Sequence, residues 1–215
     1  MRRALAVLIG ASVALSLAGP TAQAAKPHHE QYQSRWVNAF WHSTVTLDPD
    51  TYLAITWYAG AYDNDDQGFF SDLYRSVERC QKRAGADRCQ FQRDLSWYGY
   101  TSRRKGNSFT LDKRFTSGHL DATYKLYRSV DRKQVFVGRF HVVTDLAGTG
   151  HLTHGRSSYT SHQGCTTFKY SGKYESRQAT ATGTLARGDR AARDLGGTDD
   201  ANFGANQNIE IDHTC

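Results

Sequence analysis

Apolar and polar residues alternate with a period of two along much of the chain, from Trp36 to Val143. In the segment 51–60, TYLAITWYAG, alternation places Leu53, Ile55 and Trp57 on one face of an extended chain. The runs are rich in Val, Thr, Tyr, Phe and Trp, and clusters of Gly, Asp and Asn separate them. This pattern predicts antiparallel strands joined by short turns.

Ten segments show this strand pattern, and they lie at 42–47, 51–60, 70–79, 90–101, 108–115, 119–130, 134–146, 165–170, 177–185 and 208–213. Residues 187–197, RGDRAARDLGG, are the one segment that could form a short helix, ending at Gly196. The glycine-containing segment 148–164 is predicted to be a flexible loop. Regular strands without crossover helices predict an all-β, single-domain antiparallel β-barrel or barrel-like sandwich of about 8–10 strands.

Two of the predicted strands have closely similar sequences. DLYRSVERC at 72–80 and KLYRSVDRK at 125–133 share Leu-Tyr-Arg-Ser-Val followed by an acid and an arginine. Each copy precedes a second strand-like run, so each is predicted to be the outgoing strand of a hairpin. A shared run of this length favours a duplicated hairpin, with similar packing demands on both strands, over chance similarity.

Strand parity puts the arginines of the repeat on the same face as its Leu and Val residues. If that face is inward, Arg75 and Arg128 point into the barrel, and Arg93 and Arg139 follow the same pattern on the returning strands. Guanidinium groups inside a barrel require carboxylate or phosphate partners. These four arginines and His141 are therefore the candidate residues for binding an anionic ligand. If the Tyr and Ser face is inward instead, the arginines are solvated.

The first residues have the features of a secretory signal peptide. Arg2 and Arg3 precede an apolar run, and Ala-Gln-Ala at 22–24 supplies small residues at the spacing of a cleavage site. No later segment approaches the ~18 apolar residues of a membrane span, so no transmembrane segment is expected. We predict a secreted, extracellular protein with a signal peptide at 1–24, a flexible segment at 25–35 and a single β-rich domain at 36–215.

The four cysteines are an even number in an exported chain, which predicts two disulfides because the extracellular compartment is oxidising. Cys80 and Cys89 flank a short polar insert whose glycine can turn the chain, so they are predicted to pair. Cys165 then pairs with Cys215. The Cys-x-x-Cys spacing typical of metal sites is absent.

Other chemistry receives little support from the sequence. The formal charge of +6 includes Arg2 and Arg3; without them 25 basic residues face 21 acidic ones, and this balance of +4 is mildly basic and does not predict nucleic-acid binding. His151, His154 and His162 have no acidic residue among them, and strand alternation separates the first two, so neither a metal nor a cofactor is predicted. The motifs of serine hydrolases, P-loop proteins and zinc proteases are missing.

The predicted function is binding, either of a small anionic ligand or of an extracellular protein or glycan partner. Inward arginines around an open cavity favour the anionic ligand, whereas a filled core with an exposed aromatic loop favours the protein or glycan. The strings YRSVER, VGRFH and KYSGKY resemble, in residue type and order only, the Arg-, His- and Tyr-bearing strands of jelly-roll polysaccharide lyases. That resemblance implies an alternative, a lyase-like enzyme that abstracts a proton.

Overall fold

A computed structural model describes residues 28–64, 68–102, 105–163 and 166–213 of the chain. These residues contain no helix, hence none long and apolar enough to cross a membrane. They form ten strands in one antiparallel sheet that closes into a ring without being a regular barrel, which confirms the predicted fold class. The strands are β1 (His28–Asp48), β2 (Thr51–Asn64), β3 (Gly68–Gln81), β4 (Arg88–Phe91), β5 (Trp97–Thr101), β6 (Ser108–Leu111), β7 (Ser117–Val130), β8 (Lys133–Gln163), β9 (Thr166–Arg187) and β10 (Arg193–His213).

The ring runs in the order β1, β10, β9, β8, β7, β5, β3, β2 and back to β1. β4 pairs with the last residues of β3, and β6 pairs with β7; neither strand belongs to the ring itself. β5 and β7 are joined by a single residue pair, Tyr98 with Tyr127. The wall is therefore least continuous between β5 and β7.

The two copies of the repeat flank the same short strand. β3 and β7 both run antiparallel to β5, so Tyr74 of the first copy and Tyr127 of the second pair with Tyr98 from opposite sides. Gly99 permits this close approach, because a Cβ at that position would lie 2.3 Å from the carbonyl oxygen of Lys125. The two copies of the repeated sequence therefore lie on the two strands that flank β5.

The Leu and Val face of the repeat is the inner face. Leu73, Val77 and Leu126 have no exposed area, and Tyr124 and Phe203 are the largest of the fully buried side chains. The ring is filled by these residues, so its interior is a packed core and not the open cavity that was expected to accompany inward arginines.

One predicted disulfide is present. Cys80 and Cys89 are bonded and are direct cross-strand partners in β3 and β4. Cys165 and Cys215, the other predicted pair, and the predicted signal peptide at 1–24 lie outside the described residues.

The structure corrects two predictions about local conformation. The short helix expected over 187–197 is wrong, because Gly188 adopts a φ of 58° in a turn and β10 begins at Arg193, paired with Leu185. The loop expected over 148–164 is wrong for its described part, since 153–163 pairs with β9 as the continuation of β8. Both segments are mostly exposed, so neither carries the apolar alternation that marks a strand.

Strand boundaries also differ from the expected ones. The segment expected to be flexible, 25–35, belongs to β1 from His28 onward and pairs with β10. The predicted strands at 165–170 and 177–185 are parts of the single strand β9, and the predicted strand at 90–101 is divided between β4 and β5. In the first half of β9, ladder hydrogen bonds to both β8 and β10 hold a mainly polar stretch in extended form.

Candidate functional site

A row of large side chains crosses the inner face of four strands at one end of the ring. Trp41 in β1 pairs with Trp57 in β2, Trp57 pairs with Arg75 in β3, and Arg75 pairs with Trp97 in β5. Directly paired residues on one face contact each other, so the register alone places Arg75 between two indole rings. Phe140 of β8 closes the cluster from the other side, with its ring centroid 5.6 Å from that of Trp97 and 6.2 Å from that of Trp57.

Arg75 is partly buried, and the groups that hold it, an indole ring and a backbone carbonyl, carry no negative charge to balance its positive charge. Its guanidinium carbon lies 4.4 Å from the centroid of the Trp97 ring, within the range of a cation–π contact. Its Nη1 donates a 2.6 Å hydrogen bond to the carbonyl oxygen of Leu95. Burial lowers the pKa of Arg75 from its usual value, and the positive charge of Arg193 lowers it further. No described carboxylate forms an ion pair with Arg75.

Further guanidinium groups surround the same aromatic cluster. Arg193 lies 5.5 Å from the ring centroid of Trp57, and Arg187 lies 5.6 Å from that of Phe140. Arg187 also donates a hydrogen bond to the carbonyl oxygen of Val137. This end of the ring therefore combines aromatic rings with concentrated positive charge, an arrangement suited to an anion.

A pocket of about 300 Å³ opens beside Arg75 where the wall between β5 and β7 is least continuous. Most of its accessible surface is apolar, although the lining residues also include guanidinium and hydroxyl groups; they are Tyr74, Arg75, Ser76, Phe91, Arg93, Ser96, Trp97, Tyr98 and Ser129. The volume is at the lower end of the range for small-molecule sites. We call this space the Arg75 pocket.

The turn between β4 and β5 forms one wall of the Arg75 pocket. Backbone hydrogen bonds join Gln92 to Val77 and Ser96 to Arg93, and the Ser96 hydroxyl accepts a bond from the Val77 amide. This arrangement presents the Leu95 carbonyl to Arg75 and places Arg93 on the pocket wall. The Cys80–Cys89 bridge ties β4 to β3 immediately before the turn, so it supports the same wall.

The structure brings together two of the five predicted ligand-binding residues. The partly buried Arg75 and the exposed Arg93 line one pocket, whereas Arg128 and Arg139 are exposed on β7 and β8. His141 is also exposed, and its Nε2 lies 2.6 Å from Oδ1 of Asp121. These last three lie outside the pocket lining. Arg128 belongs to the end of β7, where the bulge in β8 at Val137 shifts the pairing.

Apart from Arg75 and Arg93, the residues of the site were not predicted from the sequence, and two of them matter most for Arg75. Trp97 is the residue on which Arg75 stacks, and Arg193 is the second positive charge near it. The alternation in SWYGY could have placed Trp97 on an inner face, but nothing in the sequence shows that β5 pairs with β3 at that register. Arg193 lies in the segment that was expected to be helical.

A second, larger cleft of about 560 Å³ lies where β1 and β10 separate beyond the Ala39–Ala201 pair. His42 lines it and bridges two groups, with Nδ1 3.1 Å from the Thr56 hydroxyl and Nε2 3.1 Å from Oδ2 of Asp200. The His42 and Asp200 side chains are more than half exposed, so water competes for these bonds. This cleft has no arginine in its lining.

Within the described part of the chain, the one group with a spacing compatible with a metal ion is Glu78, Cys80 and Cys89. Both of its sulfurs are bonded to each other. A disulfide does not offer the thiolates that a metal would require, so this group does not form a metal centre.

Comparison of the chain with protein-family models, with curated proteins and with solved structures finds no match.

Proposed function

We propose that this protein is an exported binding protein for a small anionic ligand, held in the Arg75 pocket. The observation that carries the proposal is the environment of Arg75, a partly buried guanidinium group with no described carboxylate partner and a second arginine nearby. A buried charge without a counter-ion is costly, and an anion in the pocket would offset that cost.

The geometry leaves donors available to such a ligand. A guanidinium group has five N–H donors, and the one hydrogen bond that Arg75 makes to a described residue uses Nη1. The contact with Trp97, at 4.4 Å from the guanidinium carbon to the ring centroid, helps to hold the group in place. Ser76 and Ser129 add hydroxyl groups, and Arg93 adds a second positive charge.

Export is part of the proposal. Its support is the predicted leader together with the Cys80–Cys89 bridge, which is typical of proteins in oxidising compartments. The lyase-like alternative gains no support from the positions of its residues. Arg75 contacts the inner aromatic cluster, His141 is exposed and contacts Asp121, and Tyr174 is exposed on β9, paired with Gly155.

The test is calorimetric titration of the mature protein with sulfate, citrate and glucuronate, repeated with two arginine variants. Arg75→Gln removes the stacked charge in the pocket, and Arg128→Gln removes an exposed arginine at the same position of the repeat. We expect saturable binding of at least one anion that Arg75→Gln abolishes and Arg128→Gln leaves intact. Equal effects of the two variants, or no saturable binding of any anion, would contradict the proposal.

A further inference from the structure

Aromatic residues form a second row on the outer face of the ring, one position away from the inner tryptophan row. Each member pairs directly with the next across six strands. In order around the wall they are Phe40, Tyr58, Tyr74, Tyr98, Tyr127 and Phe136. We call these residues the outer aromatic row.

Much of this aromatic surface is open to solvent. Tyr74 is 45% exposed and Phe136 is 53% exposed. Beside the row, Phe70 and Tyr100 stack with centroids 5.8 Å apart, and Tyr100 is 67% exposed. A concentration of exposed rings on one wall is typical of an interaction surface.

Polar groups on the same face are arranged to make directional hydrogen bonds. The Tyr58 hydroxyl donates a 2.8 Å bond to Oδ1 of Asn38, whose Nδ2 donates a 3.2 Å bond to Asn202. Asp72 lies beside Tyr58, and burial raises the pKa of its carboxyl group to about 6. These groups are partly buried and bonded to one another, so the exposed aromatic faces are the part of this surface that matches the C–H faces of sugar rings.

The outer aromatic row is continuous with the Arg75 pocket, because Tyr74 and Tyr98 belong to both. Adjacent strands lie about 4.8 Å apart, so the three tyrosines on β3, β5 and β7 span about 10 Å, and the first two of them line the pocket. The surface therefore offers a positively charged pocket followed by a line of rings.

We infer that the anionic ligand is an acidic oligosaccharide, with one carboxylate or sulfate group in the Arg75 pocket and further sugar rings on the outer aromatic row. This inference rests on the proposed function, since the pocket must first bind an anion. It adds that affinity increases with chain length and that aromatic residues outside the pocket supply the increase.

The experiment compares free uronic acids with their oligomers by calorimetry. The probes are oligogalacturonate, oligomannuronate and hyaluronan oligosaccharides, with fully methyl-esterified oligogalacturonate as the uncharged control and polyglutamate as a charged chain without sugar rings. Tyr100→Ala and Phe136→Ala remove exposed rings that do not line the pocket. Tyr159→Ala is the matched control, because Tyr159 is 58% exposed and stacks on Tyr170 on a different part of the sheet.

We expect at least one acidic oligomer to bind about tenfold more tightly than its monomer. Tyr100→Ala or Phe136→Ala should remove most of that gain without changing monomer affinity, and Tyr159→Ala should change neither. If the monomers bind but no oligomer gains affinity, or if polyglutamate binds as tightly as the best oligomer, the saccharide inference is overturned and the anion pocket stands. If no anion binds and Arg75→Gln changes nothing, the proposed function fails as well.

Discussion

The Cys80–Cys89 bridge should make a measurable contribution to stability and to the shape of the Arg75 pocket. The bridge joins residues nine positions apart. Closing a loop of that length lowers the entropy of the unfolded chain enough to stabilise the folded state by about 2.6 kcal/mol. Breaking the bridge should therefore lower the melting temperature by roughly 5–10 °C for a chain of this size.

The perturbation that isolates the bridge is Cys89→Ser. Cys89 is exposed whereas Cys80 has no exposed area, so this substitution breaks the bond and keeps the buried sulfur in place. The double variant Cys80→Ala with Cys89→Ser then adds the loss of packing at Cys80. Site variants are preferable to a reducing agent, because the chain has two further cysteines.

The bridge should matter for binding because β4 has little else to hold it. Its four residues are all exposed, and they pair with β3 alone. Without the bond, β4 and the turn that carries Arg93 should separate from β3 more often, and anion affinity should fall.

The assay is urea unfolding followed by tryptophan fluorescence, with the free energy obtained by linear extrapolation. We expect Cys89→Ser to lose about 2.6 kcal/mol, with an unchanged or slightly larger denaturant slope because the unfolded chain becomes more expanded. A loss below about 0.5 kcal/mol would refute the entropic argument. An unchanged anion affinity would refute the role assigned to the bridge in shaping the pocket.

Three further substitutions test the core, a close contact and a buried carboxyl group. The Tyr124 hydroxyl lies 2.6 Å from the Ser71 oxygen in the core, and Ser71→Ala removes this hydrogen-bond partner. Urea unfolding should show that the free energy of unfolding falls by about 1–3 kcal/mol. Gly183→Ala places a Cβ 2.7 Å from Cζ2 of the buried Trp41 ring, so the melting temperature should fall in line with a cost of about 1–3 kcal/mol. Burial raises the pKa of Asp72 to about 6, so the Asp72 carboxyl group binds its proton more tightly in the folded state than in the unfolded state. The stability that this difference contributes is therefore present at low pH and is lost as the pH rises from about 4 to about 6. Asp72→Asn should therefore stabilise the protein more at pH 7 than at pH 4, as measured by urea unfolding at both values.

Each of these expectations has a contradicting outcome. A neutral Ser71→Ala would mean that the Tyr124 hydroxyl finds another partner. Gly197→Ala is the control for Gly183→Ala, because the nearest atom to its Cβ is 4.0 Å away, and equal losses in the two would refute the steric argument. A stability gain from Asp72→Asn that is the same at both pH values would show that burial does not perturb this carboxyl group.

The alternation of residues along a strand correctly predicted which side chains share a face where the strand has one buried face. The alternation in β3 and β7 correctly indicated two possible faces, and the burial of Leu73, Val77 and Leu126 selects the Leu and Val face. The same rule did not predict the exposure of Arg128, which lies two residues before the end of β7. Parity within a strand gives the face of a residue but not how far the packed core extends along the strand.

Polar strands were the part of the fold that the sequence did not reveal. Residues 153–162 are largely exposed, so no hydrophobic alternation marks them, and their extended form depends on pairing with β9. The register between neighbouring strands could not be predicted from the sequence either. The stacking of Arg75 on Trp97 depends on which residue of β5 faces which residue of β3, and that pairing depends on closure of the ring.

The most direct test of the Arg75 pocket is a titration of the isotope-labelled protein with glucuronate, followed through the Nε–Hε resonances of its arginines in nuclear magnetic resonance spectra. We expect the resonances of Arg75 and Arg93, which line the pocket, to shift saturably with one common dissociation constant, while those of Arg128 and Arg139, which lie outside it, move little. The Arg75→Gln variant should then show no saturable shift at Arg93. Equal, non-saturating shifts at all four arginines would contradict the account, because they would indicate general attraction of anions to a basic surface.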